Sequence, residues 1–182
     1  MFGVLLLVLV VLRFATRRRE ADGLPAADRL VQVARVIDGD TLLLETGHRV
    51  RLIGVNTPEM THADQPSEPF GREASKFTRS LAEGKRVRLE YDRERRDEYR
   101  RILAYVFVND RLLNAAIIEA GFSRAETRFP YRADRKRLFE DAESVARAAS
   151  RGLWSERLPA SSEKPGSSAS DAPFDIEAND PQ

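Results

Sequence analysis

Between residues 30 and 55 the chain runs strand-forming segments back to back, separated only by short turn signals. Leu30 to Ile37 mixes β-formers with partial alternation and stops at Asp38-Gly39, a pair that favours tight turns through local hydrogen bonding and positive φ. Thr41 to Leu44 resumes an apolar strand, Thr46-Gly47 turns again, and His48 to Val55 reads as another strand. Asn56-Thr57-Pro58 then forces an extended loop, because the residue before a proline is pushed out of the helical region.

Downstream, helix and strand signals interleave. Residues 60–69 are polar with two prolines and read as a mobile loop. Gly71 to Glu83 places Ala74, Phe77, Thr78 and Leu81 on one helical face, with Gly84 as a stop. Lys85 to Asp92 alternates Val87, Leu89 and Tyr91 against Arg86, Arg88 and Glu90, the pattern of a half-buried strand. Ile102 to Val108 is another strand, Leu113 to Ala120 a short helix, and residues 132–149 a longer helix with Leu138, Ala142, Val145 and Ala149 on its apolar face. This order predicts an α+β fold: a five-stranded Greek-key barrel of the OB type with three packed helices, over residues 28–158.

The ends differ in composition. Residues 2–12 form an unbroken apolar run, followed by Arg13 and by Arg17, Arg18 and Arg19. A spanning helix needs about 20 apolar residues and a signal-peptide core about 7–15. The run is short for a span unless Phe14, Ala15 and Thr16 extend it, but it lacks a basic segment before it and a small-x-small cleavage site after it. Residues 1–19 therefore read as an N-terminal membrane anchor, with a cleaved signal leading to secretion, or a buried helix, as the alternatives. The arginine cluster would keep the domain cytoplasmic by the positive-inside rule, whereas a secreted-type enzyme would lie outside. Residues 20–27 read as a linker. Residues 159–182, rich in serine, proline, alanine and aspartate, bury too little to offset their ordering entropy and read as a disordered tail.

There is no cysteine, which excludes a disulfide scaffold and thiolate metal sites. His48 and His62 lack the partners for a histidine metal or triad site. Net charge is only +1, so any nucleic-acid surface has to be a local patch.

Three phrases concentrate the chemistry: IDGDT at 37–41, RLIGVNTPE at 51–59 and DEYRR at 97–101. They offer acidic and amide oxygens for a hard cation, a carboxylate for proton transfer and arginines for a phosphate. Hard divalent ions take oxygen ligands, and phosphoryl transfer is mostly positioning and charge stabilisation. The set reads as a metal-assisted phosphodiester hydrolase.

The order of these phrases, with FGREAS at 70–75 and RGLWSE at 151–156, resembles the thermonuclease or staphylococcal-nuclease-like family. The resemblance implies one calcium ion held by Asp40, Asn56 and the Thr57 carbonyl, with Asn56 standing where an acidic residue is usual. It implies Glu59 as general base and Arg51 and Arg101 as the phosphate-binding pair. Arg100 replaces what is typically a glycine. Tyr99 resembles a tyrosine that holds a nucleotide phosphate, though it also suits packing at the rim. Phe129 and Tyr131 suit either stacking on bases or covering the end of the barrel. The implied activity is hydrolysis of DNA and RNA by a monomer, leaving 3′-phosphates. The alternative is a membrane-tethered nucleic-acid-binding module with reduced or no turnover.

Overall fold

The computed structural model of the chain describes residues 23–27, 29–60 and 68–155. Its elements are β1 (Leu30–Asp38), β2 (Thr41–Leu44), β3 (Arg49–Leu52), β4 (Val55–Asn56), α1 (Gly71–Ala82), β5 (Arg86–Glu90), β6 (Ile102–Val108), β7 (Arg111–Leu112), α2 (Leu113–Glu119), β8 (Arg124–Ala125) and α3 (Ala133–Ala148), ending in a 3-10 turn at Gly152–Trp154. The expected membrane segment and C-terminal tail, and most of the expected mobile loop, lie outside the described residues. Among the described residues, no helix is long and apolar enough to cross a membrane.

β1, β2 and β3 pair antiparallel in succession, as the turn signals require. β5 pairs with the start of β1, β6 pairs with β5, and β6 returns to β3 in parallel, matching Val50 with Ile102 and Leu52 with Ala104. That last pairing closes the order β3-β2-β1-β5-β6 into a five-stranded barrel, the OB-type frame expected. β1 serves both halves of the barrel because its register against β2 shifts between Val33 and Arg35 and again between Val36 and Asp38. Such bulges bend a strand and raise its twist, which closure of a small barrel needs.

Inward residues Val33, Leu42, Leu44, Val50, Leu52, Val87, Leu89, Ile102 and Val106 fill the interior. Buried Asn114 stitches helix to barrel: its Oδ1 accepts from the Val106 N–H at 2.9 Å, and its Nδ2 donates to the Ile53 and Ala104 carbonyls at 2.8 and 3.3 Å.

Two expectations need correcting. The run from His48 to Val55 is not one strand: it breaks at Gly54, whose φ is +75°. The break lets Leu52, Ile53 and Val55 all point into the core while Arg51 stays at the barrel rim. A Cβ on Gly54 would lie 2.5 Å from the Phe139 ring, so the residue also permits a close approach of α3. The second correction concerns α3 itself. Its buried stripe is Phe139 and Ala146, with Ala142 half-buried, while Leu138 and Val145 are 40% and 46% exposed. Two apolar stripes lie one residue apart on this helix, and the aromatic ring, with more surface to hide, decides which one faces the barrel.

Candidate active site

The Asp38-Gly39 turn delivers Asp40 to the end of the barrel where β4 begins. Gly39 is obligatory there, since a Cβ would meet Thr57 Oγ1 at 2.5 Å. α1 fastens the turn through a 2.6 Å hydrogen bond from Thr78 Oγ1 to the Gly39 carbonyl. Asp40 is 5% exposed, yet its carboxylate is well served. Oδ1 accepts from Thr41 Oγ1 at 2.9 Å, and Oδ2 accepts from the Thr57 N–H at 3.0 Å and, at 3.3 Å, from the Thr57 hydroxyl.

Arg51 completes this cluster. Its Nη2 stands 3.2 Å from Asp40 Oδ2 and donates to Asn56 Oδ1 at 2.9 Å. Its Nη1 donates to the Leu52 carbonyl at 3.1 Å and to the Val55 carbonyl. Asn56 is anchored by Ser123, whose hydroxyl accepts from the Asn56 N–H at 2.8 Å. With five N–H donors in a guanidinium, these contacts occupy both terminal amino groups of Arg51 and leave only Nε.

The 97–101 hairpin faces this cluster across a cleft of about 540 Å³. The Arg100 N–H bonds the Asp97 carbonyl at 2.9 Å and the Asp97 N–H bonds the Arg101 carbonyl at 3.1 Å, with Arg100 at φ 62°. This is a tight hairpin turn ending in a left-handed bulge position, one that favours glycine. Asp97 folds back on Arg101, accepting from its backbone N–H at 2.8 Å and from its Nε at 2.6 Å. Arg101 thus keeps both terminal amino groups, and its guanidinium lies 5.4 Å from the centre of the Tyr99 ring.

The third wall is the 126–131 loop. Glu126 and Arg128 form a two-point ion pair at 2.8 and 2.9 Å, and that pairing holds the Glu126 carboxyl below its ordinary range. Tyr131 leans on Phe139 at 6.1 Å between ring centres, and burial pushes its hydroxyl up to about 12.

Of the residues singled out in the sequence, Arg51, Asn56, Tyr99, Arg101, Phe129 and Tyr131 line the cleft together. Asp40 and Thr57 join it from behind Arg51. Tyr99 and Phe129 are 65% and 62% exposed, so both rings face solvent at the rim, whereas Tyr131 is half-buried packing. Arg100 and Glu59 are exposed and are not among the lining residues. The Glu59 carbonyl accepts from the Glu68 N–H at 3.0 Å. Sequence reasoning missed Glu126 and Arg128 as cleft residues, and it missed the pairing of Asp97 with Arg101. Pairing along the hairpin and across β4–β8 brings them in, and no spacing rule reveals that.

The donor set suits a hard cation in kind. Asp40 Oδ2 and Asn56 Oδ1 already converge on one positively charged group, Arg51 Nη2, and a carboxylate with an amide oxygen is hard-oxygen chemistry. The set has a single formal negative charge, and among the described residues no group of three or more His, Cys, Asp or Glu side chains is placed to hold a metal.

A closed barrel with acid, amide and arginine gathered at one rim is a frame for phosphodiester hydrolysis. Comparison with known proteins agrees. The family described as "Staphylococcal nuclease homologue" matches residues 49–156. A thermonuclease of Staphylococcus intermedius is 42% identical over 125 residues, spanning 67% of this chain and 74% of its own length. A thermonuclease of Staphylococcus hyicus is 36% identical over 133 residues, spanning 71% and 78%. The endonuclease YncB of Bacillus subtilis is 32% identical over 132 residues, spanning 69% and 62%. The chain belongs to the staphylococcal nuclease family. It is a nuclease that hydrolyses phosphodiester bonds, and its family points to a metal-dependent enzyme.

Proposed function

We propose that the protein is a calcium-dependent nuclease acting on DNA and RNA. The observation that carries this is the convergence of Asp40 and Asn56 on one positive group beside a cleft containing Arg101. Asp40, Asn56 and the Thr57 carbonyl would hold a single calcium ion, which when bound neutralises phosphate charge and polarises water. Glu59, exposed two residues beyond Thr57, orients the attacking water and accepts its proton late, an effect of about 10²–10⁴-fold. Arg101 presents its free terminal amino groups to two phosphate oxygens and neutralises the charge that grows in the transition state. Arg51 keeps Asp40 and Asn56 in register and meets the phosphate through Nε or by exchanging an acceptor. Tyr99 and Phe129 offer exposed rings on which bases stack. The product carries a 3′-phosphate.

The deciding assay digests a labelled oligonucleotide with calcium, with chelator, and with Glu59→Ala. Cleavage that needs both calcium and Glu59 supports the mechanism, and equal cleavage in all three refutes it. Salt-sensitive binding without cleavage would select the tethered binding module instead. The proposal includes residues 1–19 as a membrane anchor or a cleaved signal, checked by protease accessibility of the domain in intact cells.

A further inference from the structure

Each arginine lining the cleft is paired with a carboxylate, but the pairs differ in what they leave free. Arg51 is nearly used up and Arg101 turns its Nε to Asp97. Arg128 gives Nε and one Nη2 hydrogen to Glu126, so Nη1 and the rest of Nη2 stay available. Its side chain is 84% exposed while that of Glu126 is 18% exposed. An ion pair with so exposed a partner contributes little to stability, so the fold gains little by building it.

The loop that carries Arg128 is nevertheless fastened at both ends. The Glu126 N–H bonds the Gly54 carbonyl at 3.0 Å, Lys136 Nζ bonds the Thr127 carbonyl at 2.6 Å, and the Arg132 N–H bonds Asp92 Oδ2 at 3.0 Å. A loop fastened at both ends thus holds a guanidinium, paired with Glu126, at the cleft mouth next to the exposed ring of Phe129.

Building on the nuclease reading, we propose that Arg128 is a third phosphate contact, gripping the phosphate of a nucleotide flanking the one in the cleft, with Glu126 as its positioning residue. The planar fork of arginine can hold a carboxylate on one edge and a phosphate on the other. The consequence is a preference for strands with several phosphates over dinucleotides.

The test compares kcat/KM for a dinucleotide and a hexanucleotide, and the salt dependence of hexanucleotide KM, in the wild-type chain, Arg128→Gln and Glu126→Gln. Arg128→Gln should lower the hexanucleotide-to-dinucleotide ratio by about tenfold and flatten the log–log salt slope by about 0.7, the value for one lost phosphate contact on a single strand. Glu126→Gln keeps an acceptor oxygen but removes the competing charge, so its hexanucleotide KM should fall. An unchanged ratio and slope in Arg128→Gln overturns the proposal. So does an equal loss in both variants, which would make loop integrity the cause. If the wild-type chain cleaves neither substrate, the nuclease reading itself has failed, and that outcome is distinct from both.

Discussion

Replacing Asp97 by alanine should separate the two things that carboxylate does to Arg101. It supplies orientation, through contacts of 2.8 Å to the backbone N–H and 2.6 Å to Nε. It also cancels positive charge that would otherwise attract phosphate. The orientation effect is a hydrogen bond to a charged group, worth about 1.5–3 kcal/mol. Both partners are partly shielded, at 26% and 17% exposure, so a loss of about 2 kcal/mol is reasonable, or roughly 30-fold in rate. The charge effect acts on bound substrate and transition state alike, so it lowers KM without raising kcat. Asp97→Ala should therefore reduce kcat by about 30-fold while KM stays level or falls. Steady-state kinetics on a labelled oligonucleotide measures both, and a cycle with Arg101→Ala apportions the cause. If Asp97 works through Arg101, the double variant is no slower than Arg101→Ala alone. A kcat within twofold of wild type, or losses that simply add, would refute the reasoning.

Asn56→Asp adds a second formal charge to the oxygens around Arg51 Nη2. A divalent ion gains more from that charge than a singly charged group does, and titration calorimetry should show calcium binding about tenfold tighter, with no gain counting against the ligand assignment. Arg100→Gly relieves a left-handed conformation costing about 1–2 kcal/mol in an L-residue, against about 0.5–1 kcal/mol of added unfolded-state entropy. Thermal unfolding should move up by a few degrees, and no rise would mean the turn relaxes around arginine. Asn114→Ala removes the amide that satisfies three buried backbone groups, so urea unfolding should show a loss of about 3–5 kcal/mol.

Much of the barrel was legible because its signals are local. Asp38-Gly39 and Thr46-Gly47 fix two hairpins, and the alternation of Val87 and Leu89 against Arg86, Arg88 and Glu90 fixes the burial of β5. The break at Gly54 was not legible, because a glycine within a strand-like run carries no mark of the Phe139 ring that needs its space. The facing of α3 was lost for a related reason. Leu138, Ala142, Val145 and Ala149 have sound helical spacing, but so does the stripe through Phe139, and only packing against Tyr105 and Tyr131 chooses between them.

The site divides along the same line. Asp40, Arg51, Asn56 and Arg101 were named from short phrases, yet residue identity says nothing about how many donors a side chain has left after folding. Arg51 and Arg101 look equivalent in sequence, but the backbone turns after β3, exposing the Leu52 and Val55 carbonyls to one guanidinium and leaving the other with a single carboxylate. That difference assigns them different work: a group with every terminal N–H engaged is suited to hold a cage together, and one with both terminal amino groups open is suited to meet charge that appears during reaction. Alanine at either position should lower activity, for different reasons. Arg51→Ala should loosen Asp40 and weaken cation affinity measured by calorimetry. Arg101→Ala should leave that affinity intact and depress kcat more than it raises KM, and if both variants lose cation affinity equally, the division of labour is wrong.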